Sequence, residues 1–128
     1  MDEKDFDFDN LTREQALYLH KKLWNTIADM TLKLRKPIEK WEIFRLYGWP
    51  RVKWDCWCCK YCNSWCTKCP IEWGYGKFCD SIYSPYLEWK KRLDYYHCYL
   101  HHKDLRGYHF EELAKYAREI ANLPERKG

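Results

Sequence analysis

Cysteine is the residue type whose spacing in this chain points most directly to chemistry. There are eight, and six of them, Cys56, Cys58, Cys59, Cys62, Cys66 and Cys69, fall within 14 residues; Cys79 and Cys98 follow. Disulfides inside so short a stretch would close very small loops and strain the backbone. Clustered thiols read better as metal ligands. Cys56-x2-Cys59 and Cys66-x2-Cys69 form two pairs, each able to aim both sulfurs at one ion, and four thiolates close a tetrahedral structural zinc site. The six residues between the pairs are fewer than the roughly 15–20 of a four-cysteine ribbon. Cys79 is therefore a fifth candidate ligand that replaces one of the four, Cys66 first, and Cys58 and Cys62 are then spare. A second parse, Cys56-x2-Cys59-x2-Cys62-x3-Cys66, has the spacing of an iron–sulfur cluster run, although Thr67 stands where that run has proline.

A closed four-thiolate zinc site has no open position for water and is structural. That weighs against an enzyme, as does the absence of a His-Glu-x2-His, P-loop or Gly-x-Ser-x-Gly sequence. His109-x-Glu111 follows the cysteines, the reverse of the zinc-deaminase order. His97 with His101, and Cys98 with His102, sit at i, i+4 and could hold a second metal from a helix face. The bland reading of that segment is an amphipathic surface. His20 falls in an apolar helical stripe, where a hydrogen-bonded core histidine is expected.

Charge is uneven. Residues 1–10 carry five acids and one lysine, and read as an acidic, flexible tail. From Lys33 to Lys60 there are eight bases against three acids, interleaved with Trp41, Tyr47, Trp49, Trp54 and Trp57. Such interleaving suits a surface that contacts phosphate and stacks on bases. Arg45, Trp49, Arg51, Lys53 and Trp54 are its candidate contacts. The competing reading is a solvated helix face with basic stems over aromatic edges.

These residues need a scaffold, and the periodicity supplies one that is mainly α: about four helices around an irregular zinc-binding segment. Thr12-Arg-Glu-Gln15 fits a capping box, and Leu17, Leu23, Trp24, Ile27, Ala28, Met30, Thr31 and Leu34 recur with helical period. Pro37 opens a second helix, with Ile38, Trp41, Phe44 and Tyr47 at three-residue steps and Gly48 as its stop. From about residue 49 to 83 periodicity vanishes, and coordination bonds would replace the local core. Ser84-Pro85 starts a third helix bearing Tyr86, Trp89, Leu93, Tyr96 and Leu100. A fourth runs from Phe110 to Asn122 with Leu113, Ala114, Ala117, Ile120 and Ala121 inward. Residues 11–126 thus form one metal-stabilised domain. Hydrophobic residues make up 46% of the 128, with eight Trp and eleven Tyr and a net charge of +4, which argues against disorder. No apolar run is long enough to span a membrane. The acidic start has no apolar segment of an export signal, so the expected compartment is the cytoplasm.

Leu11-Thr-Arg-Glu-Gln-Ala-Leu17 with His20 and Trp24, Cys56-x2-Cys59-Lys-Tyr61, Cys66-x2-Cys69-Pro-Ile-Glu-Trp73, Cys79, Tyr86, Trp89 and Ala121-Asn-Leu-Pro-Glu-Arg126 together resemble small cysteine-containing proteins of phages and prophages of Gram-positive bacteria. The resemblance spans Leu11 to Arg126 and favours Cys56, Cys59, Cys66, Cys69 and Cys79 as the positions that matter. It implies an accessory protein in a bacterial host cell that acts by binding, countering host defence by sequestering a host protein, a nucleic acid or a nucleotide signal. Two other functions fit the residues: an enzyme using an iron–sulfur cluster or a His/Cys metal site, and a structural or assembly factor that forms homo-oligomers.

Overall fold

The computed structural model describes residues 2–52, 55–62, 69–73, 79, 84–101 and 109–126, with backbone alone for 97–101. Five α-helices occur among them: α1 (Arg13–Leu34), α2 (Lys40–Tyr47), α3 (Trp57–Tyr61), α4 (Pro85–His101) and α5 (Phe110–Ala121). No β-strand is present among the described residues; a single antiparallel bridge pairs Ile71 with Glu125. No helix among these residues is long and apolar enough to cross a membrane.

α1 is the central element. Its capping box forms as its sequence dictates: the Thr12 hydroxyl accepts from the Gln15 amide at 3.1 Å, and the Gln15 side chain accepts from the Thr12 amide at 3.0 Å. Ala16, Leu17, Leu19, His20, Leu23, Trp24, Ile27, Ala28 and Thr31 are buried along it. It packs against α5, α3 and α2, and α4 packs against α5. α5 buries the five inward residues expected of it together with Phe110. On α4, Trp89 and Leu93 are buried, and Trp89 meets Trp24 edge to face at 4.8 Å. The Ser84 hydroxyl accepts from the Leu87 amide at 3.1 Å, the N-cap that Ser84-Pro85 foretells.

Four local expectations are corrected. Leu34 is exposed, because α1 outruns the core in its last turn before Arg35 closes it in the left-handed conformation. α2 starts at Lys40, not at Pro37: the Glu42 carboxylate caps the Glu39 amide at 2.8 Å and fixes the start there. The Cys-rich segment, expected to be loop, contains α3, too short for periodicity to reveal. The acidic residues 2–10 are not a loose tail, since Glu3–Asp5 form a 3-10 turn and Phe6 enters the core. Phe6 lies edge-on to Tyr18 at 5.9 Å and Phe8 sits 5.4 Å from Trp57; burial of two aromatic rings offsets the ordering of so short a segment.

His20 joins α1 to the end of α5. Its Nε2 lies 3.1 Å from the Ile120 carbonyl, a distance at which a neutral ring donates. Burial opposes the charged form and lowers the pKa to about 4. The unfolded chain therefore takes up this proton first as pH falls below the ordinary value of 6.5. Stability present above pH 6.5 is lost progressively down to about pH 4, on the order of 3 kcal/mol in all. Urea titrations should show a larger drop between pH 7 and pH 4.5 in the native chain than in a His20→Gln variant; parallel drops would exclude His20 as the cause.

Candidate metal centre

Three separate pieces of chain bring cysteines together. α3 is capped at its start by Cys56, whose sulfur accepts from the Cys59 amide at 3.4 Å, and at its end by Cys62. Positions 56, 59 and 62 are three residues apart, so they fall along one side of this short helix. The segment 69–73 contributes Cys69, and Cys79 arrives just ahead of α4, its carbonyl accepting from the Ser84 hydroxyl. Cys56, Cys59, Cys62, Cys69 and Cys79 line one small cavity with Trp73. About 10 Å³ of it is open to the centre of a water-sized sphere, close to the minimum that admits a single water.

The segment carrying Cys69 is tied to the end of the chain. The Glu72 amide donates to the Pro124 carbonyl at 2.9 Å and the Arg126 amide to the Pro70 carbonyl at 2.7 Å. The Arg13 guanidinium donates to the Arg126 carbonyl and lies 3.4 Å from Glu125, which fastens this strap to the start of α1. Trp73 fills the angle between strap and core. Its ring stands edge-on to His20 at 6.1 Å and to Tyr86 at 6.3 Å, while its indole N–H donates to the Cys69 sulfur at 3.4 Å.

The thiols form donor–acceptor pairs. Cys59 donates to Cys56, which raises its own pKa together with burial; that bond, with the Cys59 amide and the positive charge of Lys40, outweighs burial at Cys56 and lowers it to about 7. Cys58, fully buried, donates to Cys69 and is raised by that bond and by burial. The same bond, with the Ile71 amide, the Trp73 indole and the charge of Arg126, outweighs burial at Cys69 and lowers it to about 6. Two sulfurs thus approach thiolate character at neutral pH, each held by named donors. Cys56, Cys58, Cys59 and Cys69 carry free thiols, and among the described residues no three Cys, His, Asp or Glu side chains stand as a ready-made metal-ligating group.

Of the five expected ligands the fold brings Cys56, Cys59, Cys69 and Cys79 to this cavity; Cys66 lies outside the described residues. Cys62, expected to be spare, lines the cavity as well, and Cys58 supports Cys69 from behind. The spacing gave no sign of Trp73 as a donor, because its partner sulfur is fixed by the tertiary strap. Of the expected binding surface, Arg45 and Arg51 are exposed, Arg51 standing 3.3 Å from Asp55. Trp49 is buried among Phe44, Tyr47 and Trp57 and has no face free to stack on a ligand. Lys53 and Trp54 lie outside the described residues, as do the side chains of His97, Cys98, His101 and His102. His20 is a core histidine, as its stripe implies.

No protein-family model, no curated protein and no solved structure matches this chain.

Replacing Trp73 by Phe keeps most of the ring area against His20 and Tyr86 and removes the donor to Cys69. Loss of a buried hydrogen bond to a sulfur of anionic character should cost about 1.5–3 kcal/mol. Chemical denaturation would read this directly, and an unchanged midpoint would show that the indole N–H contributes nothing.

Proposed function

We propose that the chain is a non-catalytic binding protein whose Cys-rich segment is organised by one structural zinc ion held by Cys56, Cys59, Cys69 and Cys79. The observation that carries this reading is the convergence of cysteines from three chain segments on one cavity. Sulfur is a soft donor suited to zinc. The present S–H···S pairs would give up their protons as the ion binds, and two of the sulfurs already lean towards thiolate. The resulting centre carries net negative charge, which Lys40 and Arg126 offset, their charge acting on Cys56 and Cys69 respectively. Trp73 and Cys58 then act as outer hydrogen-bond donors that orient Cys69. A space this small suits a single ion better than a four-iron cluster. Bound zinc with four thiolates stabilises the fold and leaves no position for a reacting water.

The biological role we attach to this module is that of a phage-type accessory protein in the bacterial cytoplasm that occupies a host protein, nucleic acid or nucleotide. It rests on the sequence resemblance and on the exposed α2 residues Trp41, Arg45 and Leu46, an aromatic, a cationic and an aliphatic group on one short helix. Trp and Arg are the residue types that anchor interfaces.

Elemental analysis of chain purified from unsupplemented culture should find one zinc per chain. Single Ser variants of Cys56, Cys59, Cys69 and Cys79 should lose zinc and helical signal together, whereas Cys62→Ser and Cys66→Ser retain both. A strong chelator should unfold the Cys-rich segment reversibly. Metal-free material that stays fully helical, with the four variants indistinguishable from the parent, would sink the proposal.

A further inference from the structure

The acidic segment 2–10 is seated on the body of the protein in the manner of a bound peptide. Only three of its nine residues, Glu3, Phe6 and Phe8, are not exposed. The Glu3 carboxylate accepts from the Trp49 indole N–H at 2.6 Å and is paired with the Lys22 ammonium. These donors outweigh the opposing effect of burial, so that its pKa is lowered. Lys22 in turn lies over the Tyr47 ring at 4.3 Å and the Tyr18 ring at 5.9 Å, which fixes the cation between two aromatic faces. Beyond this carboxylate receptor, Phe6 packs on Tyr18 and Phe8 on Trp57. The remaining acids, Asp2, Asp5, Asp7 and Asp9, point to solvent and add negative charge without further burial.

From this arrangement we infer that Lys22, Trp49, Tyr18, Tyr47 and Trp57 form a peptide-binding groove whose resident occupant is the chain's own Glu-x2-Phe-x-Phe sequence. The external ligand class is an acidic peptide with the same spacing, supplied by a partner protein, that displaces residues 2–10. The tethered segment competes at the high effective concentration of an intramolecular ligand, so it masks the groove until a partner with more contacts arrives. The inference rests on the reading that the chain works by binding.

The test uses the full chain and a fluorescein-labelled synthetic peptide with the sequence of residues 2–10. Glu3→Gln weakens the resident carboxylate contact, so the peptide should bind this variant at least tenfold more tightly than the native chain, by fluorescence anisotropy. Adding Lys22→Met to Glu3→Gln should abolish the gain. Phe6→Ala is a second variant acting through the apolar anchor and should shift affinity in the same direction. Equal affinities for native and Glu3→Gln chains, or no binding to either while circular dichroism shows both folded, would overturn the groove and leave residues 2–10 as a fixed part of the core. Zinc assayed in the same samples separates the two proposals: full zinc without peptide binding defeats this inference alone, and peptide binding by chain lacking zinc defeats the metal reading alone.

Discussion

The indole of Trp73 is the point at which the helical core and the segment carrying Cys69 become one structure. Its ring edge rests on His20 of α1, and His20 meets the last turn of α5 through the Ile120 carbonyl. Its N–H points the other way, onto Cys69. A cysteine on an irregular segment would otherwise be placed only by local turns, which position side chains loosely. Here its direction follows from a fully packed helix pair, with the chain end laid beside it by the Glu72 and Arg126 amides. Donors aimed at a sulfur favour its anionic form, so the same contacts that fix Cys69 in space also set its chemistry.

Aromatic packing joins the shorter elements to a core that is mainly aliphatic between α1 and α5. Trp24, Tyr86 and Trp89 form one cluster beneath α4, and Phe44, Trp49 and Trp57 a second between α2 and α3, with Trp57 nearly parallel to Phe44 at 5.1 Å. Large flat rings bury much area per residue and lock few torsions. A five-residue helix such as α3 has too few backbone bonds to persist alone. Trp57 anchors it by one face, and the cysteines occupy another.

The helical scaffold was legible in the sequence wherever a cap and an apolar period coincided. Thr12 with Gln15, Ser84 with Pro85, and the stripe from Leu113 to Ala121 each combine two independent local signals, and each appears where expected. α3 and the strap at Ile71–Glu125 were not legible, because one is shorter than two turns and the other joins residues far apart in the chain. Spacing offered Cys56, Cys59, Cys66, Cys69 and Cys79 as candidates and left open which four act together; Cys56, Cys59, Cys69 and Cys79 line one cavity because the fold, not the spacing, brings their three segments together. The involvement of Cys62 could not be separated from that of its neighbours, because six cysteines within 14 residues admit several parses. Acidic composition misled at residues 2–10: charge count describes the exposed aspartates and overlooks the alternation that sends Phe6 and Phe8 inward.

α3 connects the two proposed sites physically. Cys56 and Cys59 on it face the sulfur cavity, while Trp57, the residue between Cys56 and Cys58, forms the floor on which Phe8 and Trp49 rest. Any ligand that orders α3 from the sulfur side therefore also orders the aromatic floor, and a peptide pressing on that floor holds the cysteines in place. Such coupling is reciprocal by thermodynamic necessity. Its size is set by how far α3 depends on each neighbour, and a helix this short has little stability of its own to contribute. The acidic segment thus serves the sulfur cluster as well as the groove: while Phe8 covers Trp57, α3 is held from both faces, and exchange of the resident segment for a partner would be felt at the cysteines.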